Sequence, residues 1–148
     1  MNYSKKIYLE FSRLTQYISS LSLLFARLII AYGFYEPAMM KWNDIHSTSQ
    51  WFESLNIPFA TLGAYIVIGA ETLGVIFLVL GFLTRIISIP LIIVMSVAIF
   101  TVHIGNGFSV GNNGFEIPLY YMALLMIFAT FGAGKFSLDN IIFKNKGY

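Results

Sequence analysis

Apolar and polar positions divide the chain into long apolar stretches separated by short polar ones. The central stretch, Thr61 to Arg85 (TLGAYIVIGAETLGVIFLVLGFLTR), holds enough apolar residues, at ~1.5 Å rise each, to cross a hydrocarbon core of ~30 Å as a helix. One carboxylate, Glu71, sits in its middle. On a helical wheel Gly63, Ala70, Gly74 and Gly81 fall together beside Glu71. This stripe of small residues predicts close packing against neighbouring helices, with Glu71 held at a helix seam.

Upstream, residues Met1 to Ser19 carry Lys5, Lys6, Glu10 and Arg13 among aromatic and aliphatic side chains. They read either as a basic, mildly amphipathic lead-in lying on the cytoplasmic membrane face or as a frayed terminus. Ser20 to Tyr35 is apolar apart from Arg27, and no small-x-small cleavage pattern follows it, so it reads as a retained first span. Ser20, Arg27, Ala31, Phe34, Ala38 and Lys41 share one face of that helix. Glu36 falls on the opposite face, next to Pro37, which can bend the helix or reset its phase. NDIHSTSQ reads as a polar loop. In WFESLNIP, Trp51, Phe52 and Leu55 form the apolar face of a short helix at the outer interface.

A tight turn at Gly81 to Arg85 leads into a third span, Ile86 to Ile104, which contains Pro90. Regular helical phase places Arg85, Ser88, Ile92, Ser96, Ile99 and His103 along one line of it. GNGFSVGNNG reads as a flexible, uncharged loop, and a short fourth span opens at Glu116 with Pro118 in its first turn. The fold class expected is all-α: an integral membrane four-helix bundle in one domain over 1–148, with spans over roughly 20–41, 60–81, 85–104 and 116–132. A short interfacial helix joins spans one and two. Lys5, Lys6, Arg13, Arg85, Lys135, Lys144 and Lys146 fall on one side and only Lys41 on the other, which puts both termini in the cytoplasm.

Composition reinforces the membrane reading: the chain is 57% hydrophobic and 11% charged, against roughly 25% charged in a soluble domain. A net charge of +2, spent near span ends, gives no nucleic-acid surface. The chain has no cysteine, which removes thiol redox chemistry and cysteine-ligated iron–sulfur clusters from its own repertoire. Two histidines, one of them in the polar NDIHSTSQ stretch, make a poor metal set. No phosphate loop, dinucleotide fingerprint or serine elbow is present.

Given that topology, Arg27 and Glu71 lie at comparable depth in the inner half and are expected to pair, because each alone is costly in hydrocarbon. Arg85 lies nearer the cytoplasmic edge, and Glu36, Lys41, His103 and Glu116 gather in the outer half. An Arg27–Glu71 pair fits a structural lock on the bundle as well as a ligand or proton site. His103 fits an interfacial histidine bonded to a loop carbonyl as well as a proton exchanger, imidazole being the side chain suited to that task near neutral pH. Candidate catalytic residues are therefore His103, Glu71 and Glu116, and candidate ligand-binding residues are Arg27, Lys41, Arg85 and Glu36. Aromatic residues, 17% of the chain, suit a pocket for a flat ring such as a quinone, although such residues more often serve as lipid-facing and interfacial packing.

These residues together resemble the DoxX family of small four-span bacterial membrane proteins. The resemblance rests on Arg27, Gly33 and Lys41; on G-x-E-x-x-G as Gly69, Glu71 and Gly74; on L-G-x-x-T-R as Leu80, Gly81, Thr84 and Arg85; on His103 and Glu116; and on the closing G-x-G-K-x-S-L-D as Gly132, Gly134, Lys135, Ser137, Leu138 and Asp139. Tyr35-Glu36-Pro37 departs from the family's leucine-rich exit of the first span. The resemblance implies residence in the bacterial inner membrane and a link to thiosulfate:quinone oxidoreductase or to membrane oxidoreductase complexes of thiol and oxidative stress. One expectation is a small membrane subunit that contacts a quinone or similar carrier, has no intrinsic cofactor and relies on a partner protein for the redox centre, with homo-oligomerisation left open. The other is a non-catalytic anchor, assembly factor or small-solute conduit.

Overall fold

The computed structural model describes residues 3–143, the side chains of Gln16 and Tyr17 excepted, and the described residues form helices and connecting turns without strands. Helix α1 spans Tyr3–Asn43, α2 Ile45–Ser54, α3 Ala60–Leu80, α4 Thr84–Ala98, α5 Glu116–Phe131 and α6 Leu138–Phe143. Three helical segments are long and apolar enough to cross a membrane: Ile18–Asn43, Ala60–Leu80 and Thr84–Asn106. α5, at 16 residues, is apolar but shorter. Lys144 and Lys146, counted above in the charge asymmetry, lie outside the described residues.

The basic lead-in is no separate segment: α1 is one helix of 41 residues that continues through Pro37. The NDIHSTSQ stretch is helix and not loop. Asp44 caps α2 by accepting hydrogen bonds from Ser47 N at 2.9 Å and Ser47 Oγ at 2.6 Å. Those bonds, the hydroxyl first, hold the Asp44 carboxyl below its ordinary range. α2 therefore starts well before the Trp51 face that predicted it.

The turn between α3 and α4 shows why its sequence reads G-F-L-T. Gly81 takes a left-handed φ of 64° and closes α3, with Phe82 N donating to Phe77 O at 2.9 Å. Leu83 is also left-handed, φ 46°, a strained conformation for a residue with a Cβ. It is held because Asp139, on α6, accepts from Leu83 N at 2.7 Å and from Thr84 N at 3.0 Å, serving as a remote cap for α4. The third span is not a regular helix to its end. Ile99–His103 is a π turn followed by a short 3-10 turn, which alters the helical phase before His103. Arg85 is exposed and His103 half-buried.

The packed core lies toward the α6 end, where Ile30 and Phe34 of α1 meet Leu78 of α3, Leu91 of α4 and Phe128 of α5. Here Gly74 allows close approach: a Cβ on it would stand 2.8 Å from Leu91 Cδ1. Toward the other end α2 rests on α3 through a separate small core of Phe52, Ala60 and Ala64. The small-residue stripe thus serves three partners in turn, Gly63 meeting Phe52, Gly74 meeting Leu91 and Gly81 meeting Arg27, with Ala70 left facing a cavity.

Candidate functional site

Between the α2 end and the core lies a cavity of about 630 Å³, walled by α1, α3, α4 and α5 and covered by α2 and the loop before α5. Its walls are mostly aliphatic and aromatic, among them Phe34, Phe52, Val67, Val94 and Ile117. Ile66 on α3 and Ile93 and Val97 on α4 border it while remaining exposed on the outer surface, so one edge of the cavity meets the face a bilayer would cover. The polar groups reaching it are few: Lys41, Glu71, His103, Thr101, Asn113 and Tyr121.

Lys41 and Glu71 form an ion pair on its wall. Lys41 Nζ donates to Glu71 Oε1 at 2.9 Å and Oε2 at 2.8 Å, with Lys41 18% and Glu71 3% exposed. Trp42 Nε1 donates to Thr72 Oγ1 at 2.8 Å beside it, fixing the same antiparallel register of α1 on α3. A carboxylate taken out of water in this way is costly unless paired, and the chelating ammonium supplies the partner.

This overturns the expected Arg27–Glu71 pair. Arg27 is fully buried and donates from Nη1 to Leu78 O at 2.7 Å and from Nη2 to Phe136 O at 2.5 Å. Leu78 lies a further seven residues along α3 from Glu71, about 10 Å deeper at 1.5 Å per residue. The difference is one of depth: counted from span ends the two residues lie level, whereas α1 runs past the bundle on the α6 side and shifts Arg27 to the level of the α3–α4 turn. Arg27 there joins Gly81, Asp139 and the backbone of the closing segment, and Asp139 lies close enough to act on its charge. The L-G-x-x-T-R and closing G-x-G-K-x-S-L-D motifs meet at this guanidinium through Gly81 and Phe136 O, remote from the cavity.

Other candidates divide likewise. His103 lines the cavity, and its Nδ1 donates to Asn113 O at 2.8 Å, which leaves Nε2 as the acceptor in the neutral ring. Glu116 does not line it. Its Oε2 accepts from Val110 N at 3.0 Å and its Oε1 from Tyr120 Oη at 3.2 Å, so it ties down the loop ahead of α5. That loop is ordered by its own bonds, Phe115 N to Gly107 O at 3.1 Å and Glu116 N to Phe108 O at 3.0 Å, and Gly114 packs directly on Gly107 O, contrary to the flexibility its glycines suggest. Arg85 is exposed and lies along Gly132, and Glu36 is exposed on the outer face of α1; neither reaches the cavity. Among the described residues no three His, Asp or Glu side chains gather as a metal set.

Tyr121 is the cavity residue that sequence reasoning missed. Its hydroxyl packs on Gly33, where any Cβ would collide with it, and its ring meets Phe34 at a tilt of 56° with centroids 5.6 Å apart. The signal was Gly33, a helix-interior glycine opposite a tyrosine-rich span.

Residues 22–104 match the DoxX family model. Over 130 residues the chain is 35% identical to an uncharacterized protein of Haemophilus influenzae, covering 85% of this chain and 86% of that one. A second Haemophilus influenzae protein, also uncharacterized, is 32% identical over 134 residues, covering 82% and 91%. A Bacillus subtilis protein named "Putative oxidoreductase CatD" is 28% identical over 124 residues, covering 83% and 88%. No solved structure matches.

Proposed function

The chain belongs to the DoxX family, and from that premise we propose that it is a small integral membrane subunit of an oxidoreductase system, holding a quinone or similar lipid-soluble carrier in the cavity beside Lys41 and Glu71. The observation that carries this reading is the placement of a buried ion pair on the wall of a large, otherwise apolar cavity that borders the lipid-facing surface. The name of the Bacillus subtilis relative points in the same direction.

In this reading a flat ring lies between Phe34, Phe52 and Val94, and a ring oxygen takes the third Lys41 proton, which makes only a long bond of 3.4 Å to Pro37 O, without breaking the pair with Glu71. A bound carrier would supply the acceptor of two electrons and two protons. In this reading the Lys41 ammonium gives a proton to the reduced ring oxygen at the buried end of the cavity and regains it from water, with Glu71 holding the charge in place, while His103 Nε2 takes up a proton from the loop end and passes it on. A partner protein delivers the electrons, since the chain has no cysteine and no dinucleotide or phosphate-binding motif. Four spans with both termini cytoplasmic, in the bacterial inner membrane, complete the proposal; the basic residues Lys5, Lys6, Arg13, Arg85 and Lys135, all at the α6 end, support the orientation.

Quinone extracted from the protein purified out of its native membranes tests this. Occupancy well above that of an unrelated four-span protein is expected, falling in Ala70→Phe, which fills the cavity wall. No enrichment in the native chain would leave the anchor, assembly-factor or conduit reading in its place.

A further inference from the structure

α1 carries a second pattern that the cavity does not use. From Ile7 to Trp42 large apolar side chains recur at alternating intervals of four and three residues, starting Ile7, Phe11, Leu14, Ile18 and closing Met39, Trp42, and every one of the eleven is between 36% and 81% exposed. A period of 3.5 residues held over this length is a coiled-coil seam. It lies on a different face of α1 from Ile30 and Phe34, which fill the bundle core, until it closes at Trp42, whose indole is bonded to Thr72 of α3.

Lipid accounts for only part of that exposure. The apolar span begins at Ile18, so Ile7, Phe11 and Leu14 stand on the stretch of helix before it, which projects roughly 20 Å further at 1.5 Å per residue. On that stretch Lys5, Lys6, Glu10 and Arg13 all fall off the seam, leaving it a clean apolar stripe. Within the span the seam has the opposite anomaly. Tyr32, near mid-span, is 81% exposed, and Glu36, one turn on, is exposed beside it, so a hydroxyl and a carboxylate face outward at a depth where lipid offers them nothing.

We propose that this seam is the interface of a parallel dimer of the chain, the two α1 helices supercoiling about a two-fold axis along the membrane normal. A second copy is the occupant that meets each observation. Membrane insertion orients all copies alike, so identical layers meet, with Leu14, Leu21 and Leu28 at one seam position and Ile18 and Phe25 at the other. The two-fold sets the Tyr32 and Tyr35 hydroxyls of each copy on the same seam as Glu36 of the other. With each of the eleven side chains about half exposed and ~200 Å² in size, the seam offers roughly 1,000 Å² per copy, above the ~800 Å² per partner of a standard stable interface.

The cysteine-free chain makes the test direct. Single cysteines at Leu14 and Leu21 on the seam, and at Leu9 and Met40, which are exposed but off it, are oxidised in native membranes. The seam positions should give a covalent dimer of twice the chain mass, several-fold more than the off-seam positions, and Leu14→Glu should abolish the dimer formed through Leu21→Cys. Equal cross-linking at all four positions, or a cross-linked product containing a different protein, would overturn the proposal. Native mass spectrometry of the unsubstituted protein provides a second readout, two copies being expected and a monomer contradicting it.

Discussion

Lys41 and Glu71, 30 residues apart on antiparallel helices, meet as an ion pair in which one ammonium contacts both carboxylate oxygens. The pair couples the end of α1 to the middle of α3 at the level where α3 and α4 cease to pack closely, so the same interaction closes the core below and forms the wall of the cavity above. Lys41→Met should destabilise the protein by on the order of 3 kcal/mol, because it strands a carboxylate only 3% exposed. The double variant Lys41→Met/Glu71→Leu should lose less than Lys41→Met alone, since no unpaired charge remains. Thermal unfolding in detergent reads the cycle, and strictly additive losses would contradict direct pairing.

Gly33 and Tyr121 make a second testable contact. Gly33→Ala places a methyl group against the Tyr121 hydroxyl and should cost about 1–3 kcal/mol. Tyr121→Phe removes the colliding oxygen and should restore part of that loss. If the second substitution gives no recovery, the α1–α5 approach differs from that described.

At the α6 end, Asp139→Ala leaves Leu83 N and Thr84 N without their acceptor, and a loss of about 1–2 kcal/mol is expected. Hydrogen exchange should accelerate first at the start of α4 and hardly at all at the Lys41 level. Uniform acceleration would mean that Asp139 is not a local cap.

The sequence made the helical architecture legible because each feature involved is local: apolar length, the Gly81 turn, Pro118 at the first turn of α5. The wall residues Lys41 and His103 were legible as well, since each lies near the end of its span. What failed depended on register between helices. Counting from span ends paired Arg27 with Glu71, but depth is set by where α1 sits against α3, and α1 extends beyond the bundle by an amount its apolar pattern does not mark. Topology alone gathers Glu116 with Lys41 and His103 in the outer half, whereas a helix-start carboxylate next to a glycine-rich loop has backbone amides of that loop as nearer partners. The π turn before His103 left no sign in composition.

Orientation is open to direct labelling. Cysteines at Asn112, in the loop before α5, and at Lys135, before α6, should react with an impermeant maleimide from opposite sides of the membrane. Reaction from one side would mean that α5, with its 16 residues, does not cross.

The central claim is that the cavity beside Lys41 and Glu71 takes a lipid-soluble carrier. A photoreactive quinone analogue, illuminated in native membranes and followed by mass spectrometry of the labelled peptides, tests it most directly. Labelling should concentrate on cavity-lining stretches, around Val67 to Glu71 and Val94 to Thr101, be displaced by excess unlabelled quinone and drop several-fold in Ala70→Phe. Labelling spread evenly over lipid-exposed positions such as Ile86, Phe100 and Met126, unaffected by competitor or by Ala70→Phe, would contradict it.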